Sequence, residues 1–306
     1  MNPSVDISYP VENLLLNDVN RVDQVSKTAG GKGLNVTRVI HQLGGDVVAS
    51  GVLGGHLGDT IKEQLDKNNI QHEFFPIAQE TRNSIALLHD NGQQTEILEA
   101  GPVVQAEEIA GFMNTFKELI EKADLLTISG SLAKGLPSNF YTNLISIAKQ
   151  AGKDTLLDSS GSALKDALKY KDKPLLIKPN LTEVNELLDS ALELTQPEEI
   201  KHTLKHSLFD GVEWVVVTLG GDGAIVKHHD RFYRVTLPKL DIVNPVGSGD
   251  ATIAGFAHAL EKADSVENTI KLGMTAGVLN ALEPKTRHIN VDHLHTIWHQ
   301  ITIVPF

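Results

Sequence analysis

The amino-acid sequence predicts an α/β fold in which a mostly parallel central sheet is flanked by helices on both faces. The first observation is a set of apolar, β-branched runs with the length of buried strands, at residues 46–52, 125–129, 155–158, 175–177 and 214–218. The second is that segments with helical periodicity separate these runs. Because parallel strands need long crossover connections, the order strand, helix, strand predicts a parallel sheet.

Two helices show the clearest periodicity. Residues 33–43 carry an apolar stripe made of Val36, Val39, Ile40 and Leu43. Residues 106–122 carry a similar stripe made of Ile109, Phe112, Met113, Phe116 and Ile120. Stripes of this kind face a core, so both segments are predicted to be amphipathic helices.

Residues 5–25 and 83–98 interrupt this order with short alternating strands. The second segment predicts a hairpin, with strands at 84–89 and 94–98 and a turn at 90–92. Such strands form either a small β lid or an antiparallel edge of the main sheet, and the pattern favours neither. No repeat, linker or charge block divides the chain, so we expect one domain over residues 1–306, with lid elements at about 5–25 and 83–98.

Composition narrows the class of protein. The 27 Lys and Arg residues against 39 Asp and Glu give a net charge of −12, which argues against a nucleic-acid surface. The absence of cysteine removes disulfides and thiolate metal sites. Because the chain has no long apolar run and no signal-like N-terminus, we expect no membrane contact and a cytoplasmic location.

The segment NPVGSGD at residues 244–250 carries the strongest chemical signal, because it predicts a turn that feeds a helix beginning near Gly249. Unpaired N–H groups of Gly247, Ser248 and Gly249 would form an anion site at the positive helix end. A lone Asp250 would more often be an ordinary first-turn carboxylate. The small residues ATIAG that follow predict close helix packing, which favours a base fixed beside an anion site and able to deprotonate a hydroxyl that attacks phosphorus.

The segment GGKGLNVT at residues 30–37 is a second glycine turn before a helix. Lys32 and Asn35 offer polar groups to a hydroxylated or anionic ligand. Most such turns are only tight connections, so the signal alone is weak. Neither GxxxxGK[ST] nor GxGxxG occurs, which excludes the usual P-loop and dinucleotide-binding patterns.

Together the two glycine segments resemble the paired signatures of the PfkB (ribokinase-like) carbohydrate kinase family, over essentially the whole chain. Four shorter elements resemble the branch that phosphorylates sugar phosphates: NPSVD at 2–6, TRN at 81–83, SGSLAKG at 129–135 and KPN at 178–180. The resemblance implies a ribokinase-like fold with a small β lid. It also implies transfer from ATP, with Mg²⁺, to the C1 hydroxyl of D-tagatose 6-phosphate, with fructose 6-phosphate or fructose 1-phosphate as alternative acceptors.

The resemblance assigns roles in phosphoryl transfer. Asp250 is the implied catalytic base, and the N–H groups of Gly247, Ser248 and Gly249 are implied to stabilise the γ-phosphoryl group. Asn180 and Glu183 match an NxxE motif that helps to place Mg²⁺, through water, and the ATP phosphates. In isolation that pair is more typical of a helix N-cap with its capping-box partner, and both roles can hold together.

The remaining nucleotide contacts are also implied by resemblance. Lys178 is placed at the ATP phosphates, and Thr218, Gly220 and Gly223 in a nucleotide-contacting loop. For Gly223 a structural role in a hairpin turn into residues 224–228 is at least as good an explanation. Asn280 is placed near adenine, although a residue in a late helix is more often solvated.

For the sugar, the resemblance implies that Asp6 accepts hydrogen bonds from hydroxyl groups. The same cleft is implied to include Gly31, Gly33, Asn35 and Ser131. Lys32 and Arg82 supply the positive pocket that a sugar phosphate needs, because a guanidinium fork suits phosphate oxygens. Arg21 either joins this pocket or is a solvated residue of the lid.

Three further expectations concern assembly, the N-terminus and metals. The resemblance implies a homodimer joined through the lids, whose exposed strands offer a pairing edge. Family members usually have a buried apolar strand before NPSVD, so we expect that strand to be missing, with ladder groups left exposed. No three-ligand metal pattern occurs, and His293, His295 and His299 are expected at the surface. A non-catalytic sensor of the same fold is the alternative of another class, and the joint presence of Asp250, Asn180 and Glu183 argues against it.

Overall fold

The computed structural model describes residues 1–90, 93–283 and 288–306. These residues divide into two compact units. Unit 1 contains Met1–Leu34, Val48–Phe116 and Leu132–Leu136. Unit 2 contains Asn35–Val47, Lys117–Ser131 and Pro137–Phe306. A single functional domain over the whole chain stays a prediction.

Unit 1 is built on strands from the first hundred residues. Its strands are β1 (Ser4–Pro10), β2 (Ser26–Gly30), β3 (Val48–Leu53), β4 (Gln71–Pro76), β5 (Arg82–His89) and β6 (Gln93–Leu98). Its helices are α2 (Gly55–Lys67) and the first part of α3 (Ala106–Lys122), and α1 (Lys32–Gln42) begins in it. Apolar residues of β1, β3 and α2 form its core, including Val5, Leu53 and Ile61.

A four-stranded sheet in the order β2-β1-β5-β6 confirms the predicted hairpin, because β5 and β6 pair antiparallel. The predicted turn residues Asn91 and Gly92 lie outside the described residues. Within the described chain these strands form their own sheet, so an antiparallel edge of the main sheet is the wrong alternative. The segment 5–25 is a strand only in its first part, since residues 11–25 form no strand.

The strand predicted at 46–52 is β3, and only its second half is buried on both faces. It pairs in parallel with β4 in a separate two-stranded sheet, and Val48 is 46% exposed. Val48 and Ser50 are exposed while Ala49 is buried, which is the alternation expected when only one face is covered, whereas Gly51, Val52 and Leu53 are all buried. The first half of β3 therefore differs from a strand buried on both faces, because an apolar run of small residues does not show how far a covering layer extends.

Unit 2 contains a seven-stranded sheet in the order β13-β12-β11-β10-β9-β8-β7. The strands are β7 (Leu125–Ser129), β8 (Asp154–Asp158), β9 (Leu176–Ile177), β10 (Trp214–Thr218), β11 (Ala224–His228), β12 (Arg231–Thr236) and β13 (Thr302–Pro305). β7 to β10 pair in parallel, whereas β10 to β13 pair antiparallel. The predicted α/β class is confirmed, with the parallel pairs confined to one half of this sheet.

The helices of unit 2 complete the buried core. They are α4 (Phe140–Gln150), α5 (Gly161–Lys169), α6 (Leu181–Leu188), α7 (Pro197–Thr203), α8 (Ser248–Glu261), α9 (Val266–Ala281) and α10 (Leu294–Trp298). The predicted helices at 33–43 and 106–122 are α1 and α3. Within the described residues, the structure contains no helix with the length and apolar character of a membrane span.

The contact between α8 and α9 depends on glycine. An ideal Cβ built at Gly255 would lie 2.6 Å from the Leu272 carbonyl oxygen, and one at Gly273 would lie 2.2 Å from Phe256. Side chains at these positions would therefore force the helices apart. The small residues predicted to allow close packing do so at Gly255.

Candidate active site

The start of α8 is a glycine turn that carries a buried carboxylate. Gly247 is the N-cap residue and has φ 87°, a left-handed conformation that favours glycine. Asp250 lies in the first turn and is 6% exposed. Helix N-termini attract negative charge because their first N–H groups lack partners within the helix. The predicted turn and helix start are confirmed to within one residue.

The prediction of three unpaired N–H groups in this turn is wrong for one of them. The N–H of Ser248 donates to the Pro245 carbonyl oxygen at 3.2 Å, because the proline carbonyl closes a tight turn before the helix. Neither Gly247 nor Gly249 donates its N–H to an acceptor within the described part of the chain. Two backbone donors are thus available to an anion.

Asn35 lies against Asp250. Its Nδ2 donates to Asp250 Oδ2 at 2.7 Å, and the Asn35 side chain is itself buried. Asn35 is on α1, just after the first glycine turn, so the helix that follows GGKGL delivers the amide to the carboxylate. The bond orients one carboxylate oxygen. The family resemblance implies a sugar contact for Asn35, and that role stays a prediction.

Asn280 supports the same turn from α9. Its Nδ2 donates to the Val246 carbonyl oxygen at 3.0 Å and lies 3.3 Å from Ser248 Oγ. Asn280 has no exposed surface, so the expectation that it is solvated was wrong. The reason is that α9 packs along α8, which buries the last turn of α9 against the glycine turn. Its predicted proximity to adenine stays a prediction.

Lys178 brings a positive charge to the first turn of α8. An ideal Cβ at Gly249 would lie 3.1 Å from Lys178 Nζ. The ammonium is 3.4 Å from Asp158 Oδ1, and both side chains are buried. An ammonium beside a helix N-terminus is unfavourable by itself, and the Asp158 carboxylate offsets this. The arrangement favours an anion next to the turn.

Asp158 is a residue that the sequence analysis missed. It ends β8, next to the ends of β7 and β9 in the parallel part of the sheet, where ligand sites of open α/β sheets usually lie. That position was the available signal, because the strand at 155–158 had been predicted correctly.

Asn180 and Glu183 form a complete capping box at the start of α6. Asn180 Oδ1 accepts from the Glu183 N–H at 2.8 Å, and Glu183 Oε2 accepts from the Asn180 N–H at 2.8 Å. The structural alternative is therefore confirmed, and a role with Mg²⁺ stays a prediction. Thr218 lies beside this cap, since its N–H donates to the Pro179 carbonyl oxygen at 3.1 Å.

The loop after β10 is a turn between antiparallel strands, as the structural alternative for Gly223 predicted. Gly223 has φ 89°, and an ideal Cβ there would lie 2.0 Å from the Val235 carbonyl oxygen. A side chain at this position is excluded. Gly220 also has a positive φ, but an added Cβ would meet nothing within 4 Å. A nucleotide contact stays a prediction for both residues.

In unit 1, Asp6 lies against the first glycine turn. An ideal Cβ at Gly30 would overlap the Asp6 carboxylate, 2.1 Å from its Cγ. Ser4 Oγ donates to Asp6 Oδ1 at 2.6 Å. Gly31 has φ 95° and passes close to the backbone of Pro3. The turn therefore brings Gly31 to the segment that carries Asp6, as the predicted sugar cleft requires.

Arg82 lines a cavity of about 460 Å³ in unit 1. Its guanidinium donates to the carbonyl oxygens of Asn2, at 3.3 Å, and of Glu99, at 3.1 Å. Burial lowers the pKa of Arg82 and the charge of Glu99 raises it. The cavity also contains Gln79, Glu80, Thr81, Asn83 and Gly101 among its lining residues. A cation in a concave site can take an anionic group.

The other predicted substrate residues are exposed. Lys32 and Gly33 begin α1, Arg21 lies between β1 and β2, and Ser131 follows β7. Their side chains or backbones are accessible to a ligand, which leaves the solvated alternative open for Arg21. The predicted roles of all four stay predictions.

The histidine prediction is correct for exposure but incomplete. His293, His295 and His299 are exposed, although the Nε2 atoms of His295 and His299 lie only 3.0 Å apart. A three-ligand cluster does occur elsewhere, where Glu213, His228 and His229 come together. The sequence analysis missed it because these residues meet only through the pairing of β10 with β11.

Comparison with known proteins identifies the family. Residues 1–293 match the profile of the pfkB family carbohydrate kinases. The chain belongs to this family. The kinase is 47% identical over 304 residues to a protein named tagatose-6-phosphate kinase from Staphylococcus epidermidis, covering 99% of the chain and 97% of that relative.

Solved structures show the same ribokinase-like fold. Phosphofructokinase-2 from Escherichia coli in complex with fructose-6-phosphate is 27% identical to the kinase, with a TM-score of 0.88. The match covers 98% of this chain and 96% of that chain. The tetrameric inhibited form of the same protein gives a TM-score of 0.87, also at 27% identity and with the same coverage. The kinase is therefore a phosphotransferase with an alcohol acceptor, as predicted.

Proposed function

We propose that this kinase transfers the γ-phosphoryl group of ATP to the C1 hydroxyl of D-tagatose 6-phosphate. The products are ADP and D-tagatose 1,6-bisphosphate. The observation that carries the proposal is the 47% identity, over 99% of the chain, to the tagatose-6-phosphate kinase of Staphylococcus epidermidis. The charges and donors at the start of α8 support the phosphoryl-transfer chemistry independently of that name.

Asp250 is proposed as the general base. It takes the proton of the acceptor hydroxyl as the oxygen attacks the γ-phosphorus, and the bond between that phosphorus and the ADP oxygen breaks. Asn35 holds Oδ2 of the carboxylate during this step. The free N–H groups of Gly247 and Gly249 and the Lys178 ammonium stabilise the negative charge of the transferred group. Ser248 forms part of the turn but offers no backbone donor, since its N–H already donates to the Pro245 carbonyl oxygen.

The residues proposed for the nucleotide fit Mg²⁺ and ATP. Bound Mg²⁺ neutralises phosphate charge. Glu183 is half-buried and offers a carboxylate to metal-bound water, because its described hydrogen bond engages only Oε2. Asn180 is exposed and keeps the carboxylate in place through the capping box. Thr218, Gly220, Gly223 and Asn280 are proposed as nucleotide neighbours.

The sugar phosphate is proposed to bind in unit 1 through hydroxyl and phosphate contacts. Asp6 accepts hydrogen bonds from the hydroxyl groups near Gly31 and Gly33. Arg82, with Lys32, takes the 6-phosphate, because charge-assisted bonds are worth roughly 1.5–3 kcal/mol each. Arg21, Ser131 and Asn35 are proposed as further substrate contacts, and Asn35 keeps its hydrogen bond to Asp250.

One of the compared structures favours fructose 6-phosphate as a second candidate acceptor. The Escherichia coli phosphofructokinase-2 structure contains fructose-6-phosphate, and fructose 1-phosphate is the remaining alternative within the family. A sensor without catalysis is disfavoured, because a base held by Asn35 beside two free N–H groups has no use in mere recognition.

An ADP-release assay with a panel of tagatose 6-phosphate, fructose 6-phosphate and fructose 1-phosphate tests the proposal. We expect the highest kcat/KM for tagatose 6-phosphate. A higher value for either fructose phosphate would replace the proposed acceptor. A folded protein that binds ATP but releases no ADP with any acceptor would support the sensor.

We also propose a homodimer through the four-stranded sheet of unit 1. β6 is an exposed edge strand, and its apolar residues Ile97 and Leu98 are 53% and 59% exposed. Exposed apolar groups beside a strand edge favour pairing with a second copy. Light scattering should give twice the monomer mass, and the variant Leu98→Asp should give the monomer mass. The related phosphofructokinase-2 has a tetrameric form, so a tetramer is the contrasting outcome.

The proposed location is the cytoplasm.

A further inference from the structure

Three potential metal ligands lie in unit 2 outside the residues of the candidate active site. Glu213 directly precedes β10, His228 is the last residue of β11, and His229 follows it. β10 and β11 run antiparallel, with Trp214 opposite His228, so the start of one strand meets the end of the other. This places a carboxylate and two imidazoles at one end of the strand pair.

The distances between the donor atoms suit a single ion. His228 Nε2 is 3.2 Å from Glu213 Oε1, and His229 Nε2 is 3.6 Å from the same oxygen. One donor atom from each of the three residues lies within 4.8 Å of the others. Zn²⁺ binds imidazole nitrogen and carboxylate oxygen at about 2.0–2.2 Å, which places tetrahedral ligands roughly 3.4 Å apart. Small side-chain rotations therefore suffice for coordination.

The surroundings hold two of the ligands in place. Trp214 Nε1 donates to Glu213 Oε1 at 3.1 Å, and the indole ring lies 4.0 Å from the imidazole of His228, centroid to centroid. His229 has φ 51°, and its N–H donates to the Glu213 carbonyl oxygen at 2.9 Å. Second contacts of this kind orient metal ligands.

The protonation of His228 is compatible with metal binding. Burial lowers its pKa, and the charges of His229 and Arg231 act in the same direction, while the contact with Glu213 raises it. The neutral imidazole is the form that binds metals. The positive charge of Arg231 disfavours binding of a cation at this site. The negative charge of the Glu213 carboxylate favours it.

We propose that Glu213, His228 and His229 bind one divalent transition-metal ion of the Zn²⁺ class. Two imidazoles and one carboxylate suit such ions, and three protein ligands leave a position for water. The site lies at the opposite end of β10 from Thr218, because the five residue steps from Glu213 to Thr218 span about 17 Å at about 3.3 Å per residue. The ion therefore joins the end of β11 to the start of β10 and takes no part in phosphoryl transfer.

Titration of the chelator-treated protein with Zn²⁺, in excess Mg²⁺, tests the proposal by calorimetry. The background is His299→Asn, which removes the exposed pair His295 and His299 as a competing site. We expect this protein to bind one Zn²⁺ and to gain thermal stability from it. Adding His229→Asn should weaken binding at least about tenfold, since even supporting residues of metal sites have effects of that size.

The choice of variants separates loss of a ligand from loss of the fold. His229 is 64% exposed, and asparagine tolerates its left-handed backbone better than alanine does. Glu213→Gln is the second variant, because it keeps a hydrogen-bond acceptor for Trp214 but removes the charge. Absence of Zn²⁺ binding in the His299→Asn protein, or equal binding after either further change, would show that the cluster is only hydrogen-bonded.

Discussion

Asn35 Nδ2 donates a hydrogen bond of 2.7 Å to Asp250 Oδ2, although 215 residues separate the two in the chain. The bond joins the two glycine segments of the sequence, because one residue follows the first turn and the other ends the second. A buried carboxylate with one oriented oxygen is what a base needs in order to take a proton from a fixed direction.

The variant Asp250→Asn should lose turnover and keep ATP binding. The amide has nearly the same size, so the turn should persist, but it cannot accept the proton of the hydroxyl. We expect kcat to fall by roughly 10²–10⁴. ADP release measures the rate, and calorimetry measures ATP affinity. Asp59→Asn, an exposed change on α2, serves as the control. A near-normal kcat would remove Asp250 from the mechanism.

The variant Glu183→Gln should distinguish two roles of Glu183, as capping-box partner of α6 and as a carboxylate for Mg²⁺. Glutamine also completes a capping box, so the free energy of unfolding should change little. The loss of charge should raise the Mg²⁺ concentration needed for half-maximal rate. By comparison, Asn180→Ala should lower the free energy of unfolding by about 0.5–2 kcal/mol, measured in urea. If Glu183→Gln leaves the Mg²⁺ dependence unchanged, the pair is only a cap.

The variant Gly255→Ala should destabilise the protein by overpacking. The new methyl group would lie 2.6 Å from the Leu272 carbonyl oxygen, so α8 and α9 must separate. We expect a loss of about 1–3 kcal/mol in the free energy of unfolding. Gly221→Ala is the matched control, since its Cβ would meet nothing within 4 Å. Equal stability of the two variants would contradict the described helix contact.

The buried pair Lys178 and Asp158 should show strong coupling in a double-mutant cycle. Asp158→Asn leaves the ammonium uncompensated and should cost about 3–5 kcal/mol. Lys178→Met in the same protein should restore part of this loss, because no buried cation remains. Denaturation in urea gives all four values. Additive losses would show that the two charges do not interact.

The variant Arg82→Lys should raise KM for the sugar phosphate by about tenfold or more. A lysine keeps the charge but not the fork that binds two phosphate oxygens, and the lost bond is worth roughly 1.5–3 kcal/mol. KM for ATP should stay constant. Arg21→Lys provides the comparison, since an unchanged KM there would identify Arg21 as solvated. A change in KM for ATP alone would show that Arg82 acts elsewhere.

Local patterns predicted much of the fold. The helix at 106–122 has the predicted bounds, and the strands β7, β8, β9 and β10 lie where apolar runs placed them. These features depend on periodicity over neighbouring residues, which the sequence displays directly. The separate sheet of β3 and β4 could not be predicted, because pairing depends on which strands meet in space.

The site was predictable where a residue stands in a marked turn, as Asp250 does. Asp158 was missed although it ends a predicted strand, because the sequence alone does not show which strand ends meet at a site. The solvated alternative for Asn280 was wrong because its burial depends on the packing of α9 against α8. The cluster of Glu213 and His228 depends on strand register, which spacing along the chain does not reveal.

The overlap between a Cβ at Gly30 and the Asp6 carboxylate has a consequence for mutational tolerance. Any missense change at this position introduces a side chain, which would fit only if the buried Asp6 carboxylate turned away from its hydrogen bond with Ser4. In a saturation library selected for kinase activity, position 30 should return mostly glycine. Position 221, where there is open space, should return many amino acids.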